Sequence, residues 1–311
     1  MMSRMTRSGG TDMRRGWELP QPRTTAEIQT SDGTRIILRR HGNPDGPRLV
    51  LSHGNGLAAD LYYPFWSLLA DRFDLVVYDL RNHGWNPPSD IRSHNVATFV
   101  SDNECVAHGI DRHFGKKPRI GLFHSLSAVL ALRHEPPGEG FEALILFDPP
   151  IYPPGGNPLD IDALWKKFAI GSRLRQDRFA TRDEFARSIR RSPYFKGLAP
   201  GVADLFAETT LRPLSDGSGY GLRCARECEA RVFEYIFAYH CEPAPESFAC
   251  PVKVIGGDPT ASFSFLPSMD LSAIVGLDYD FVPETTHFLQ IEKPAACVSR
   301  MLEFLGRKGL V

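Results

Sequence analysis

The stretch Arg119-Ile-Gly-Leu-Phe-His-Ser125-Leu-Ser-Ala-Val-Leu-Ala-Leu132 carries an apolar strand into a serine and straight on into an apolar helix. No spacer separates the two patterns, so the chain must turn sharply at Ser125. Such a turn holds one hydroxyl above the end of a sheet. A serine there has an ordinary structural use, as the cap of the helix it precedes. It also has a chemical one. A lifted hydroxyl is within reach of a base that can activate it, and the helix N-terminus offers N–H donors to developing negative charge. Taken alone, the stretch leaves the two readings level.

The pattern on either side repeats this strand-then-helix order. Ala26–Thr30 and Thr34–Arg40 read as strands around the turn Ser31-Asp-Gly33. Short apolar runs at Arg48–Ser52, Asp74–Asp79, Arg119–Phe123, Ala143–Phe147 and Pro251–Gly256 read as strands, as does Leu277–Phe281. Helical spacing marks Asp60–Asp71, Asn95–Phe114, Ser125–His134 and Pro294–Leu305. Continuous apolar strands alternating with helices imply an α/β protein whose parallel sheet is covered on both faces. The alternation stops between residues 149 and 248. Only helix-like stretches are expected there: Leu159–Arg175, Arg182–Arg191, Gly201–Glu208 and Leu222–Tyr239. The expected organisation is a mobile N-terminal tail (1–22), a core from 23–148 and 249–311, and a helical lid at 149–248.

Charge narrows the function classes. The formal net charge of −1 over 311 residues argues against a polyanion-binding protein, so no nucleic-acid partner is expected. No run approaches the ~18 apolar residues of a membrane span. The basic, polar N-terminus lacks the apolar centre of a secretory signal. Cys105, Cys224, Cys228, Cys241, Cys250 and Cys297 are read as small buried side chains in a reducing compartment. The pair Cys224/Cys228 with His240 makes a poor metal site, and no metal is expected. The expected location is cytoplasmic. The oligomeric state is left open, a homodimer included.

Further positions bear on Ser125. His287 lies in the loop Val282-Pro-Glu-Thr-Thr-His287, after the last strand and before the last helix, where its ring can return over the sheet edge as a base. A carboxylate must then hold its tautomer. Asp258, ending Val252-Lys-Val-Ile-Gly-Gly-Asp258, is preferred; Asp148, at the end of the strand before the helical block, is the alternative. Two N–H donors for an oxyanion are assigned to Leu126 and to Asn55, the latter in the glycine-flanked loop His53-Gly54-Asn55-Gly56. His53 is read as a packing residue beneath the site. Tyr62, Tyr63, Trp85 and His124 are candidate substrate contacts, although the loop holding Trp85 reads first as a structural turn. The seven arginines between Arg173 and Arg191, against three acids, read as a solvated face rather than an anion site.

These residues together resemble the α/β-hydrolase superfamily. His53-Gly54 follows one strand and Asp79-Leu-Arg-Asn-His-Gly84 the next. Phe-His-Ser125-Leu-Ser, Gly-Gly-Asp258 and Thr-Thr-His287 then follow in the family's order. The resemblance covers about residues 24–148 and 249–308. It implies a mostly parallel eight-stranded sheet, a Ser-His-Asp triad and no cofactor. A serine at the elbow, in place of an aspartate, points away from the epoxide-hydrolase and haloalkane-dehalogenase branches. Two departures stand out: Phe123 and Ser127 occupy the elbow's glycine positions, and the ring of Phe123 implies a differently packed turn.

The expectation is therefore a serine hydrolase for a small or medium acyl substrate, a carboxylic ester first. Hydrolysis of a lactone, an amide or the carbon–carbon bond of a vinylogous diketone fits the same triad. A non-catalytic ligand-binding protein on the same fold is the reading from a different class.

Overall fold

A computed structural model describes residues 16–151, 158–239, 244–261 and 264–311. His240, Cys241 and residues 1–15 of the expected tail lie outside these. The chain opens with strands β1 (Thr24–Gln29), β2 (Arg35–Gly42) and β3 (Arg48–Ser52). The short helix α1 (Tyr63–Trp66), flanked by single 3-10 turns, leads to β4 (Asp74–Tyr78). Helix α2 (Val96–Phe114), strand β5 (Arg119–His124), helix α3 (Leu126–Leu132) and strand β6 (Ala143–Phe147) follow. The segment between the two halves of the core holds α4 (Pro158–Leu174), β7 (Arg178–Phe179), α5 (Arg182–Arg191), α6 (Val202–Thr210), β8 (Leu211–Pro213), β9 (Tyr220–Leu222) and α7 (Arg226–Tyr235). Strands β10 (Val252–Gly256) and β11 (Asp278–Phe281) and helices α8 (Leu289–Glu292) and α9 (Pro294–Arg307) complete it.

Eight strands form one sheet in the order β1-β2-β4-β3-β5-β6-β10-β11. β2 runs antiparallel to both neighbours, and every other pairing beyond it is parallel. The burial pattern follows from position. β3, β4, β6 and β10 are buried at every residue, as central parallel strands should be, whereas β1 at the edge alternates. Side chains leave the strands alternately to two cores. Leu49, Leu51, Leu122 and Phe147 pack with α1 and α9 on one face; Val50, Phe123, Leu144 and Leu146 pack with α2 and α3 on the other.

Three expectations need correction. Asp60–Asp71 is not one helix but a 3-10 turn, a single α-turn and another 3-10 turn. Pro64 lies inside that span and cannot donate a backbone hydrogen bond. The segment 149–248 is not purely helical either: β7, β9 and β8 form a small antiparallel sheet. Strands of two or three residues are too short to register as periodicity. In the expected tail, Trp17 is anchored: its Nε1 donates to Pro200 O at 3.0 Å and its ring meets Tyr63 edge-on at 5.9 Å.

Candidate active site

Ser125 sits between β5 and α3 with φ 51° and ψ −115°, a strained conformation for a residue with a Cβ. Its N–H donates to Phe147 O at the end of the neighbouring strand β6 (3.0 Å), which fixes the turn to the sheet. Ser127 takes the helix side of the elbow. Its hydroxyl donates to His124 O and accepts from His124 N–H, each at 3.0 Å, and its small side chain is wholly buried.

Phe123 is accommodated by a glycine placed two residues earlier. A Cβ on Gly121 would lie 2.5 Å from Phe123 Cε2 and 2.6 Å from Leu144 Cδ2. The ring therefore lies back over bare backbone, away from the serine, and meets Phe141 edge-on at 5.8 Å. The elbow's crowding is relieved one strand repeat upstream.

His287 closes on the serine from the loop before α8. Its Nε2 is 2.9 Å from Ser125 Oγ, and its Nδ1 is 2.6 Å from Asp148 Oδ2. A carboxylate can only accept, so Nδ1 carries the proton and Nε2 faces the hydroxyl as acceptor. Asp148 is buried at the C-terminal end of β6 with φ 41°. It is held from two further sides: Ser268 Oγ donates to Oδ2 (2.8 Å) and Gly257 N–H to Oδ1 (3.0 Å). Gly257 must be bare, because a Cβ there would lie 2.5 Å from both Ser268 Oγ and Thr286 O.

Asp258, the preferred acid in the sequence reading, does not reach the imidazole. Its Oδ1 accepts from Thr260 N–H (2.9 Å) and Oγ1 (2.7 Å), and its Oδ2 from Glu284 N–H (2.8 Å). The Thr260 hydroxyl leads these bonds in holding its carboxyl below the usual range. The cause is the end of β10. There Gly257 spends its N–H on Asp148, and the next side chain turns outward to pin the loop that carries His287. The partner of His287 is the alternative, Asp148.

The loop after β3 supplies the other side of the site. Gly54 N–H donates to Tyr62 Oη (3.2 Å), Gly56 N–H to His83 Nε2 (3.0 Å) and Leu57 N–H to Gly54 O (3.2 Å). The Asn55 N–H is left without an acceptor among the described residues. The Leu126 N–H is the first in α3, where no earlier helical carbonyl is available to it. Beneath the loop, His53 is wholly buried: Nε2 accepts from Leu80 N–H (3.0 Å) and Nδ1 donates to Gly54 O (2.8 Å). Burial pushes the His53 and His83 imidazoles below their ordinary pKa, so both serve as neutral struts.

A cavity of about 70 Å³ opens beside Ser125 and His287. Leu57 and five phenylalanines (195, 206, 233, 265 and 288) give it apolar walls. Its polar end holds Asn55 and the ion pair Arg175–Glu229. Neither arginine nor glutamate was singled out as a contact in the sequence, since each reads as one more charge on a helical segment. A larger cavity of about 520 Å³ lies elsewhere, walled by Phe123, Phe141 and His134, and holds none of these groups.

The four candidate contacts fall in different places. Tyr62 and His124 are buried behind the reacting atoms rather than on the cavity wall. Tyr63 packs against Trp17 and Trp66. Trp85 is partly exposed, with its Nε1 donating to Asp60 Oδ2 at 2.7 Å and Arg39 over its ring. Cys224 and Cys228 are buried free thiols. The arginines of the 173–191 segment mostly carry acidic partners, Arg173 with Glu227 and Glu234 and Arg190 with Asp183 and Asp204. Among the described residues no helix is long and apolar enough to cross a membrane.

Comparison with known proteins agrees with this fold. The family model described as Alpha/beta hydrolase family matches residues 49–300. The structure is similar to E-2-(acetamidomethylene)succinate hydrolase, with a TM-score of 0.68 at 18% identity over 91% of this chain and 99% of that one. It is similar to an enol-lactonase from Burkholderia xenovorans (TM-score 0.64, 19% identity, 90% and 100% covered). A thermophilic esterase from Thermogutta terrifontis is a third such structure (0.63, 17%, 91% and 98%). In sequence, 80 residues are 39% identical to a protein named Probable oxidoreductase EphD from Mycobacterium tuberculosis and Mycobacterium bovis. That match spans 25% of this chain and 14% of the relatives' length.

Proposed function

The chain belongs to the alpha/beta hydrolase family, and from that premise we infer a serine hydrolase that cleaves a small acyl substrate, a carboxylic ester first. The observation that carries this reading is the unbroken line Ser125 Oγ, His287 imidazole, Asp148 carboxylate, at 2.9 and 2.6 Å. In the proposed reaction His287 Nε2 takes the proton as Ser125 Oγ attacks the carbonyl carbon. Asp148 keeps the imidazole in the tautomer that can accept, then stabilises its cation. The N–H groups of Asn55 and Leu126 receive the oxyanion. Collapse expels the alcohol, protonated by His287, and leaves an acyl-enzyme. Water, deprotonated by the same imidazole, releases the acid.

The cavity supports a small acyl group. An engineered apolar cavity of about 150 Å³ holds benzene, and this one is about 70 Å³. Residues 149–248 are proposed as the lid, since Phe195, Phe206 and Phe233 reach the cavity from that segment.

The test is Ser125→Ala against an activated ester such as p-nitrophenyl acetate, with fluorophosphonate labelling alongside. The expected outcome is labelling of the wild-type protein alone and a loss of turnover of about 10³-fold or more in the variant. Undiminished turnover by a folded Ser125→Ala protein would remove the assignment. A wild-type protein that resists the probe and binds a small ligand tightly would favour the ligand-binding reading. The lactone, amide and diketone chemistries share this triad, and rates on a panel of such substrates separate them.

A further inference from the structure

Behind the reacting atoms, four groups form one continuous hydrogen-bond line. Gly54 N–H donates to Tyr62 Oη at 3.2 Å. Tyr62 Oη lies 2.6 Å from His124 Nδ1, and His124 Nε2 lies 2.8 Å from the carbonyl oxygen of His287. The direction of each bond is forced. The His287 carbonyl can only accept, so Nε2 of His124 carries the proton. In a neutral ring Nδ1 must then accept, and the tyrosine hydroxyl supplies the hydrogen. The hydroxyl oxygen in turn accepts from Gly54. Burial, with the nearby His287 adding to it, pushes His124 well below an ordinary histidine, which keeps the ring neutral and the line intact.

We propose that Tyr62 and His124 are positioning residues that lock the backbone of the base His287 and the oxyanion loop at Gly54–Asn55 into one register. The proposal rests on the reading of Ser125 and His287 as nucleophile and base. The two loops come from opposite ends of the chain, and the His124–His287 bond alone spans 163 residues of sequence. Each loop has anchors of its own, but this line of hydrogen bonds ties the one to the other. A rigid neutral bridge between them sets the distance from the imidazole to the serine. It also sets the aim of the Asn55 N–H, the residue after the donor Gly54. Two stacked apolar rings would fill the same space and fix neither.

Packing and positioning predict different kinetics. If the pair only packed, Tyr62→Phe would lower stability and leave kcat near wild type. If it positions, the loss falls on the reaction. Tyr62→Phe and His124→Phe should each lower kcat for p-nitrophenyl acetate by about 10- to 100-fold with KM within about 2-fold. The double variant should fall no further than the worse single one, because each change breaks the same line. His124→Gln, whose amide can still donate toward the His287 carbonyl, should recover kcat to within about 5-fold of wild type. Tyr62→Phe removes one oxygen and keeps the proposal testable should His124→Phe fail to fold. A Tyr62→Phe protein with kcat within 2-fold of wild type, or strictly additive losses in the double variant, overturns the proposal. Fluorophosphonate labelling of the wild-type protein separates the two levels. With labelling intact, a fully active Tyr62→Phe protein defeats the positioning role alone; without labelling, the reading beneath it fails first.

Discussion

Asp148 adopts φ 41°, which few non-glycine residues do, and this turns its carboxylate across the end of the sheet toward His287. Asp258 follows a strand that also ends at the sheet's C-terminal edge, yet its bonds go to Thr260 and Glu284. Asp148→Asn should therefore lower kcat on an activated ester by about 10⁴-fold, the size expected when the imidazole is left in the wrong tautomer. Asp258→Asn should stay within about 5-fold, with any loss arising from a looser His287 loop. The opposite ranking in steady-state kinetics would return the acid to Asp258. In the sequence, both aspartates were visible as strand-end carboxylates. Choosing between them needs the lateral order of strands and a backbone torsion, and residue types report neither. Ser125 and His287 were legible because their neighbours fix them: a strand runs into one, and a strand and a helix bracket the other. Tyr62 and His124 were legible as residues near the site, but their direction was not, since a ring facing the substrate and a ring bracing the loop behind it share one pattern.

At the scale of elements, the strand–turn–helix unit tolerates a phenylalanine because β5 carries its glycine at position 121. Gly121→Ala would place a methyl group 2.5 Å from the Phe123 ring and 2.6 Å from a Leu144 methyl, so one of these side chains must shift. The expected destabilisation is about 1–3 kcal/mol, read from urea unfolding. Phe123→Leu in the same chain should restore part of it, whereas the two changes would simply add if the ring lay elsewhere. This arrangement was within reach of the sequence, because positions 121 and 123 face the same side of a strand. The strands β3 to β6 and β10 were legible because central parallel strands are continuous apolar runs, and β1 and β2 because a turn sequence, Ser31-Asp-Gly33, lies between them. The sheet of β7, β8 and β9 was not, since strands of two or three residues carry no period.

For the whole molecule, buried neutral imidazoles are the main acid sensitivity. His41 is lowered to about 4 and His94 to about 3, in both cases first by burial, and His53, His83 and His124 are lowered as well. Each binds its proton in the unfolded chain near the ordinary value of 6.5 and resists it when folded. The stability these groups contribute is complete above pH 6.5 and is lost as the pH falls toward their folded values. Each fully titrating histidine adds a slope of about 1.4 kcal/mol per pH unit. Asp60, Asp102, Glu229 and Glu292 are raised by burial and oppose this at lower pH. The urea midpoint should accordingly drop most clearly between pH 6.5 and 5.5, and a flat or rising midpoint over that interval would contradict the account. A last consequence lies in where the chain keeps its reactive groups. Ser125 and Asp148 end adjacent strands and are joined through Phe147, whereas His287 arrives 139 residues after Asp148. The proposed nucleophile and acid can thus be assembled early, by a short loop closure, while the proposed base waits on a much longer one. In a refolding time course, helical ellipticity should return before any turnover of an activated ester, which would make the proposed activity a clock for the docking of the His287 loop.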